Sequence, residues 1–185
     1  MRVFLDFEAS SLGKNSYPIE IAWVFETGEG ESHLIRPAPT WLDWDGEAEA
    51  IHHISREALE ERGEPHQQVA ERMVEVLSGH DLYASAPSWD GKWMSVLLRA
   101  AALPRHALRL RDTEIVQRES ATNILSGGLA GGKLRGAVDS VVARARASDS
   151  QPVRHRAYDD AEQERRRWLA VIELAQIERA RILQG

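Results

Sequence analysis

The sequence predicts an α/β fold: a central mixed five-stranded sheet, part antiparallel meander and part parallel strands, flanked by helices. Three observations carry that expectation. The first 36 residues read as strands separated by turn signals, the middle of the chain alternates strands with helical patterns, and the last third is helical. No repeat or boundary interrupts residues 1–185, so a single domain with its own core is expected.

Taken in order, the first strand is the apolar run Val3-Phe4-Leu5, ending in Asp6-Phe7-Glu8. Ala9 to Pro18 is a loop rich in turn formers, and Ile19 to Thr27 is a second strand. Gly28-Glu29-Gly30 turns into a third strand, Glu31 to Arg36, which Pro37 and Pro39 stop. Trp41 to Glu49 reads as irregular and acidic. Ser55 caps a helix over Arg56 to Arg62. Pro65 opens a longer one to Ser78, with Val69, Met73, Val76 and Leu77 at helical spacing and Gly79 as its cap. Asp81 to Ser85 is short and apolar enough for a central strand. A helix carrying Trp93, Val96, Leu97 and Leu98 then runs to Pro104, and Leu108 to Asp112 alternates as a fifth strand. Residues 113–133 show no clear period, and Ser126 to Gly132 is a flexible loop. Leu134 to Ala147 is a helix, Ser148 to Pro152 a linker, and the last helix spans about 155–183.

Composition narrows the function classes. Without cysteine the chain has no disulfide, thiolate metal site or cysteine nucleophile. No signal pattern opens it and no apolar run approaches roughly 18 residues, so a soluble, cytoplasmic protein with no membrane partner is expected. Net charge is −6, unevenly spread: residues 1–81 hold 6 basic and 17 acidic side chains, residues 82–185 hold 17 basic and 12 acidic. An acidic metal centre beside a basic, phosphate-facing surface fits that asymmetry, and so does uneven sampling.

On a strand Asp6 and Glu8 project to one face. Two carboxylates ending a buried strand repel each other and lose hydration, and a hard divalent ion relieves both costs. A strand running out into a solvated acidic loop accounts for the same residues. Asp90 opens a helix after Pro87, where the helix dipole favours a carboxylate without any further role. Farther on, His155 and Asp160 are five residues apart, about 140° round a helix, so they converge only if His155 lies on the preceding loop. Asp159 is the competitor if the helix starts earlier, and an exposed histidine at an acidic helix start accounts for the stretch as well.

Together these pieces resemble the DEDD-type 3′→5′ exonucleases in their histidine subtype, a DnaQ-like family with a ribonuclease H-like fold. Asp6-Phe7-Glu8 with Ala9 to Gly13 resembles the first motif, and Ile51-His52-His53-Ile54-Ser55 resembles the family's Ile-His-Gly-Ile-Thr segment with His53 at the glycine. Ser85 to Asp90 looks like the second motif, with Trp89 the aromatic before the aspartate. Asp112-Thr113 matches the Asp-Thr after the fifth strand. His155 to Ala161 is similar to His-x-Ala-x-x-Asp-Ala, which selects Asp160 over Asp159. The family usually has asparagine four residues before the second-motif aspartate; here that position is Ala86, followed by Pro87.

The resemblance implies a catalytic set of Asp6, Glu8, Asp90, His155 and Asp160, with the four carboxylates holding two divalent ions, Mg²⁺ or Mn²⁺. Asp6, Glu8 and Asp160 would hold one ion, Asp6 and Asp90 the other, and His155 would act as general base. The expected reaction removes nucleoside 5′-monophosphates from the 3′ end of single-stranded DNA or RNA. Phe7, Ala9, Leu12, His52 and Trp93 are the candidates for substrate contact, and Arg109, Arg111, Lys133 and Arg135 for phosphate contact; each is also readable as core or solvated face. The Gly-Gly-x-x-Gly-Gly pattern at 127–132 lacks the strand-loop-helix setting of a phosphate loop. Apolar residues of the last helix, Trp168, Leu169, Ile172, Leu174, Ala175 and Ile182, suit burial in the monomer, with any surplus forming a homodimer face. Two other classes stay open: a binding module without turnover, and a phosphodiesterase for very short oligonucleotides.

Overall fold

The structure is a computed structural model, in which residues 1–148 and 155–184 are described. Its centre is β1 (Arg2–Ala9), whose alternating side chains supply both faces of the sheet. β2 (Pro18–Phe25) and β3 (Gly30–Arg36) complete an antiparallel meander, with Glu8 opposite Glu20 and Phe4 opposite Val24. β5 (Asp81–Ala84) lies parallel to the other side of β1, and β6 (Leu110–Asp112) lies parallel to β5. The five expected strands are all present. A sixth, β4 (Glu64–Pro65), runs parallel to β3, so the sheet order is β4-β3-β2-β1-β5-β6. Two residues carry no alternation, so this strand leaves no periodic trace in sequence.

Seven helices are described: α1 (Gly46–His52), α2 (Arg56–Arg62), α3 (His66–Leu77), α4 (Pro87–Ala100), α5 (Thr113–Leu125), α6 (Gly131–Ala147) and α7 (Ala157–Gln184). α2 has its expected Ser55 cap, which accepts from the Ala58 amide. α1 occupies part of the stretch that reads as irregular; Asp45 caps it through the Glu47 amide. α5 fills most of 113–133, capped by Asp112. α7 begins at Ala157, two residues later than expected, so His155 lies ahead of it. Most of the 148–152 linker falls outside the described residues.

The odd residues Val3, Leu5 and Phe7 of β1 pack with Trp23, Ile35, Met73, Leu77, Leu97 and Leu98 under α3 and α4. The even residue Phe4 turns to the opposite face and meets Tyr83 and Trp168, with ring centroids 5.9 and 5.6 Å away. Asp6 and Glu8 continue that even face towards α7. Farther along, Val171 and Ala175 of α7 join Ala121, Leu125, Val138, Val141 and Ala145 in a second cluster with α5 and α6. Most of the apolar stripe of α7 is therefore used within the chain, but Leu169 is exposed. Among the described residues no helix is long and apolar enough to cross a membrane.

Trp168 is one of the contacts that tie α7 to the sheet, and its Nε1 donates to Ser120 Oγ at 2.9 Å. Trp168→Ala is expected to lower stability by roughly 3–5 kcal/mol, measured by urea unfolding. Trp168→Phe, which keeps most of the buried ring and loses the hydrogen bond, should cost about 1 kcal/mol. Equal losses in the two variants would place the stabilisation in the hydrogen bond instead of the packing.

Candidate metal centre

β1 outruns its parallel neighbour: its pairing with β5 stops at Phe4–Tyr83, and Asp6 and Glu8 lie beyond it. Asp160, fourth residue of α7, descends onto that end. Asp6, Glu8 and Asp160 each present a carboxylate oxygen within 4.8 Å of the others. Asp90 approaches from the first turn of α4 and is 2% exposed. Backbone amides of Ala86, Phe7 and Asp90 itself face its carboxylate, yet Oδ2 has no hydrogen-bond partner. His155 precedes α7, exposed, at φ 50°, close enough to Asp160 to oppose the rise of that carboxyl's pKa. Three chain segments thus bring the candidate residues Asp6, Glu8, Asp90, His155 and Asp160 to one end of the sheet.

The electrostatics are severe. Burial pushes Asp6 well above the usual carboxylate range, and the charges of Asp90, Glu8 and Asp160 add to it. Glu8 is pushed up to about 8, by burial first and then by Asp160 and Glu20, against the pull of Arg156. Asp90 is pushed up to about 7 by burial, opposed by its backbone hydrogen bonds. Asp160 rises for the same first reason, partly offset by His155. A cluster of oxygen donors, with one buried oxygen lacking any partner, fits a hard divalent cation such as Mg²⁺ or Mn²⁺ better than a soft ion.

A second layer holds the site. Glu20 of β2, 1% exposed, accepts from Arg156 Nη2 at 2.6 Å and Nε at 3.0 Å, from the Ala157 amide at 3.2 Å and from Ser32 Oγ at 3.1 Å. On the other flank, the loop after β1 is braced by Asp43, which accepts from Ser10 and Ser11. Lys92 and Trp93 of α4 both donate to Ser16 Oγ, at 2.8 and 3.0 Å, and Lys92 also donates to the Gly13 carbonyl.

Of the substrate candidates, Leu12 is presented at the tip of that braced loop, 70% exposed. Phe7, Ala9 and Trp93 lie in the core and His52 is 2% exposed, its Nδ1 accepting from the Ile54 amide. Trp89, named above only as the aromatic before Asp90, is 38% exposed and stacks on Trp93, with Lys92 Nζ 5.0 Å over its ring. Arg111 is engaged with Glu119 and Tyr83. Arg109 is exposed beside Arg105 and His106, in a groove that reaches Pro87 and Gly91 of α4. Lys133 and Arg135 are exposed on the first turns of α6. Glu20, Asp43 and Lys92 went unremarked in the sequence. For Glu20 a signal existed: it is the one charged side chain in a strand buried on both faces.

The architecture is a ribonuclease H-like fold. No family model matches the chain, and no curated protein matches it. Solved structures of exonuclease I do, and exonuclease I is a DnaQ-like 3′→5′ exonuclease. The enzyme from the moderately thermophilic Methylocaldum szegediense aligns at TM-score 0.65 and 19% identity, covering 99% of this chain and 42% of that one. E. coli exonuclease I bound to a dA16 oligonucleotide aligns at 0.63 and 16%, with the same coverage. Its zinc-bound complex with single-stranded DNA aligns at 0.62 and 16%, again over 99% and 42%. The likeness is one of fold, and the chain spans about two fifths of the length of those structures.

The raised carboxyls make stability pH-dependent with a defined sign. In metal-free protein they hold protons at pH values where the unfolded chain has lost them. Their contribution is complete below their ordinary values near 4 and is lost as pH rises through about 7 for Asp90 and about 8 for Glu8. With chelator present, the urea midpoint should fall between about pH 5 and pH 9, and Mn²⁺ should restore it. Glu8→Gln should flatten part of that slope; an unchanged slope would mean that Glu8 titrates normally.

Proposed function

We propose that this chain is a divalent-metal-dependent 3′→5′ exonuclease that acts on single-stranded nucleic acid and releases nucleoside 5′-monophosphates. The observation that carries the reading is the meeting of Asp6, Glu8 and Asp160 within 4.8 Å, beside the buried, incompletely satisfied Asp90. Asp6, Glu8 and Asp160 would hold one ion, and Asp6 with Asp90 a second. Bound there, the ions would supply Lewis-acid stabilisation for negative charge developing on the scissile phosphate.

The chain's own groups supply the remainder. Asp90 is buried and Asp6, Glu8 and Asp160 are half-buried, which limits competing water at the cluster. His155, exposed at the mouth of the site, accepts the proton of the attacking water; an imidazole suits that task at neutral pH. Leu12 and Trp89 form an exposed apolar rim on which a terminal base can rest, and the groove beside Arg105 and Arg109 suits phosphates. The solved structures of exonuclease I bound to oligonucleotides support a single strand as substrate.

The test incubates 5′-labelled single-stranded DNA and RNA with the protein, with Mn²⁺ and with chelator. Stepwise shortening from the 3′ end that needs metal and disappears in Asp6→Ala is expected. His155→Ala should keep Mn²⁺ binding while slowing cleavage roughly 10²- to 10⁴-fold. Tight binding of either strand with metal bound and no cleavage would instead identify a binding module.

A further inference from the structure

α7 begins at Ala157. The two residues before it, His155 and Arg156, are neither serine, threonine, asparagine nor aspartate, the side chains that ordinarily satisfy a helix's first amides. The amide of Ala157 is satisfied from across the sheet, by Glu20 Oε2 at 3.2 Å. The same carboxylate grips Arg156 through two nitrogens, a fork that fixes orientation as well as distance. Ser32 of β3 completes the set. Glu20 is opposite Glu8 in the β1–β2 register, and antiparallel partners share a face, so the grip is applied one strand away from the metal-ligand candidates. Three residues after Ala157 comes Asp160. Just before Arg156 stands His155 in the left-handed region at φ 50°, a backbone state that persists where surrounding contacts overdetermine it.

We infer that Glu20 and Arg156 are a positioning pair, in which a β2 carboxylate caps α7 in place of a local residue and sets Asp160 and His155 in register with Asp6 and Glu8. The pair touches neither substrate nor the reacting atoms, and acts through α7. Groups of this kind commonly change metal affinity or activity by about 10- to 100-fold when removed. The inference rests on the metal-dependent reading for its functional arm, and on geometry alone for its structural arm.

The decisive variant is Arg156→Ala, because two explanations predict opposite signs for it. Arg156 is a cation acting on Glu8. If it worked only through its field, removing it would strengthen Mn²⁺ binding. If it positions α7, removing it weakens Mn²⁺ binding despite the lost repulsion. We expect calorimetric titration of the protein to show Mn²⁺ affinity reduced about 10-fold or more in both Arg156→Ala and Glu20→Gln. Arg156→Lys, which keeps the charge but not the fork, should recover part of it. On single-stranded oligonucleotide at saturating Mn²⁺, kcat should fall while KM changes little. Hydrogen exchange supplies the readout that is independent of activity: amides at Ala157 to Asp160 should lose protection in both variants, with the 168–180 part of α7 unchanged.

Tighter Mn²⁺ binding in Arg156→Ala, or unchanged exchange at the start of α7, overturns the inference. Wild-type protein that neither binds Mn²⁺ nor cleaves overturns the exonuclease reading instead, and hydrogen exchange then decides the positioning role by itself.

Discussion

Negative charge concentrated at the open end of β1 is the constraint to which the other elements respond. Asp6, Glu8, Asp90 and Asp160 come from a strand and two helices, and each is held where water cannot fully solvate it. The fold offsets part of the cost with backbone. α4 and α7 both direct their N-termini at the cluster, so amide dipoles of two helices face the carboxylates, and Asp90 and Asp160 sit in the first turns where that field acts. What remains is a surplus of oxygen donors, and a divalent ion is the simplest group to balance it.

The surrounding structure limits where those carboxylates can move. α7 is the main beam. Its first turn meets β1 and β2, Trp168 packs on Phe4, and its second half is clamped by α5 and α6. Arg165, paired with Glu162, also donates to the Glu26 carbonyl at the end of the β2–β3 hairpin. Opposite it, Asp43, Lys92 and Trp93 hold the loop that follows Glu8. Braced walls around such a cluster limit the reorganisation needed when charge develops. The exposed side chains nearby, Leu12 and Trp89, ride on these braced segments, so an adaptable rim rests on a fixed centre.

Local pattern is strong where one residue's fate depends on near neighbours. Apolar alternation and the Gly28–Gly30 turn mark the meander, Ser55 marks the start of α2, and Asp-x-Glu places two carboxylates on one face. It is weak where burial falls on polar or small residues. α5 buries Thr113, Val116, Gln117, Ala121 and Leu125, a helical spacing whose chemistry hides it from a hydrophobic reading. α1 buries only His52 and so shows no apolar stripe, even though Asp45 caps it in the structure. β4 exists only because Glu64 and Pro65 come to lie beside β3.

By itself, then, the sequence determined the strands of the meander, the helices with apolar stripes, and the identity of five residues that look like one constellation. The strands and helices follow from periodicity and side-chain chemistry, which are properties of short segments, whereas the five residues were singled out by their motifs' resemblance to a known family. Only the tertiary structure decided that Asp6, Glu8 and Asp160 meet within 4.8 Å and that Trp89 is exposed while Trp93 is not. It also decided that Glu20 caps a helix whose first residue is 137 positions away. The reason is physical: distances among side chains from different elements are set by sheet register and helix packing, and no local pattern encodes either.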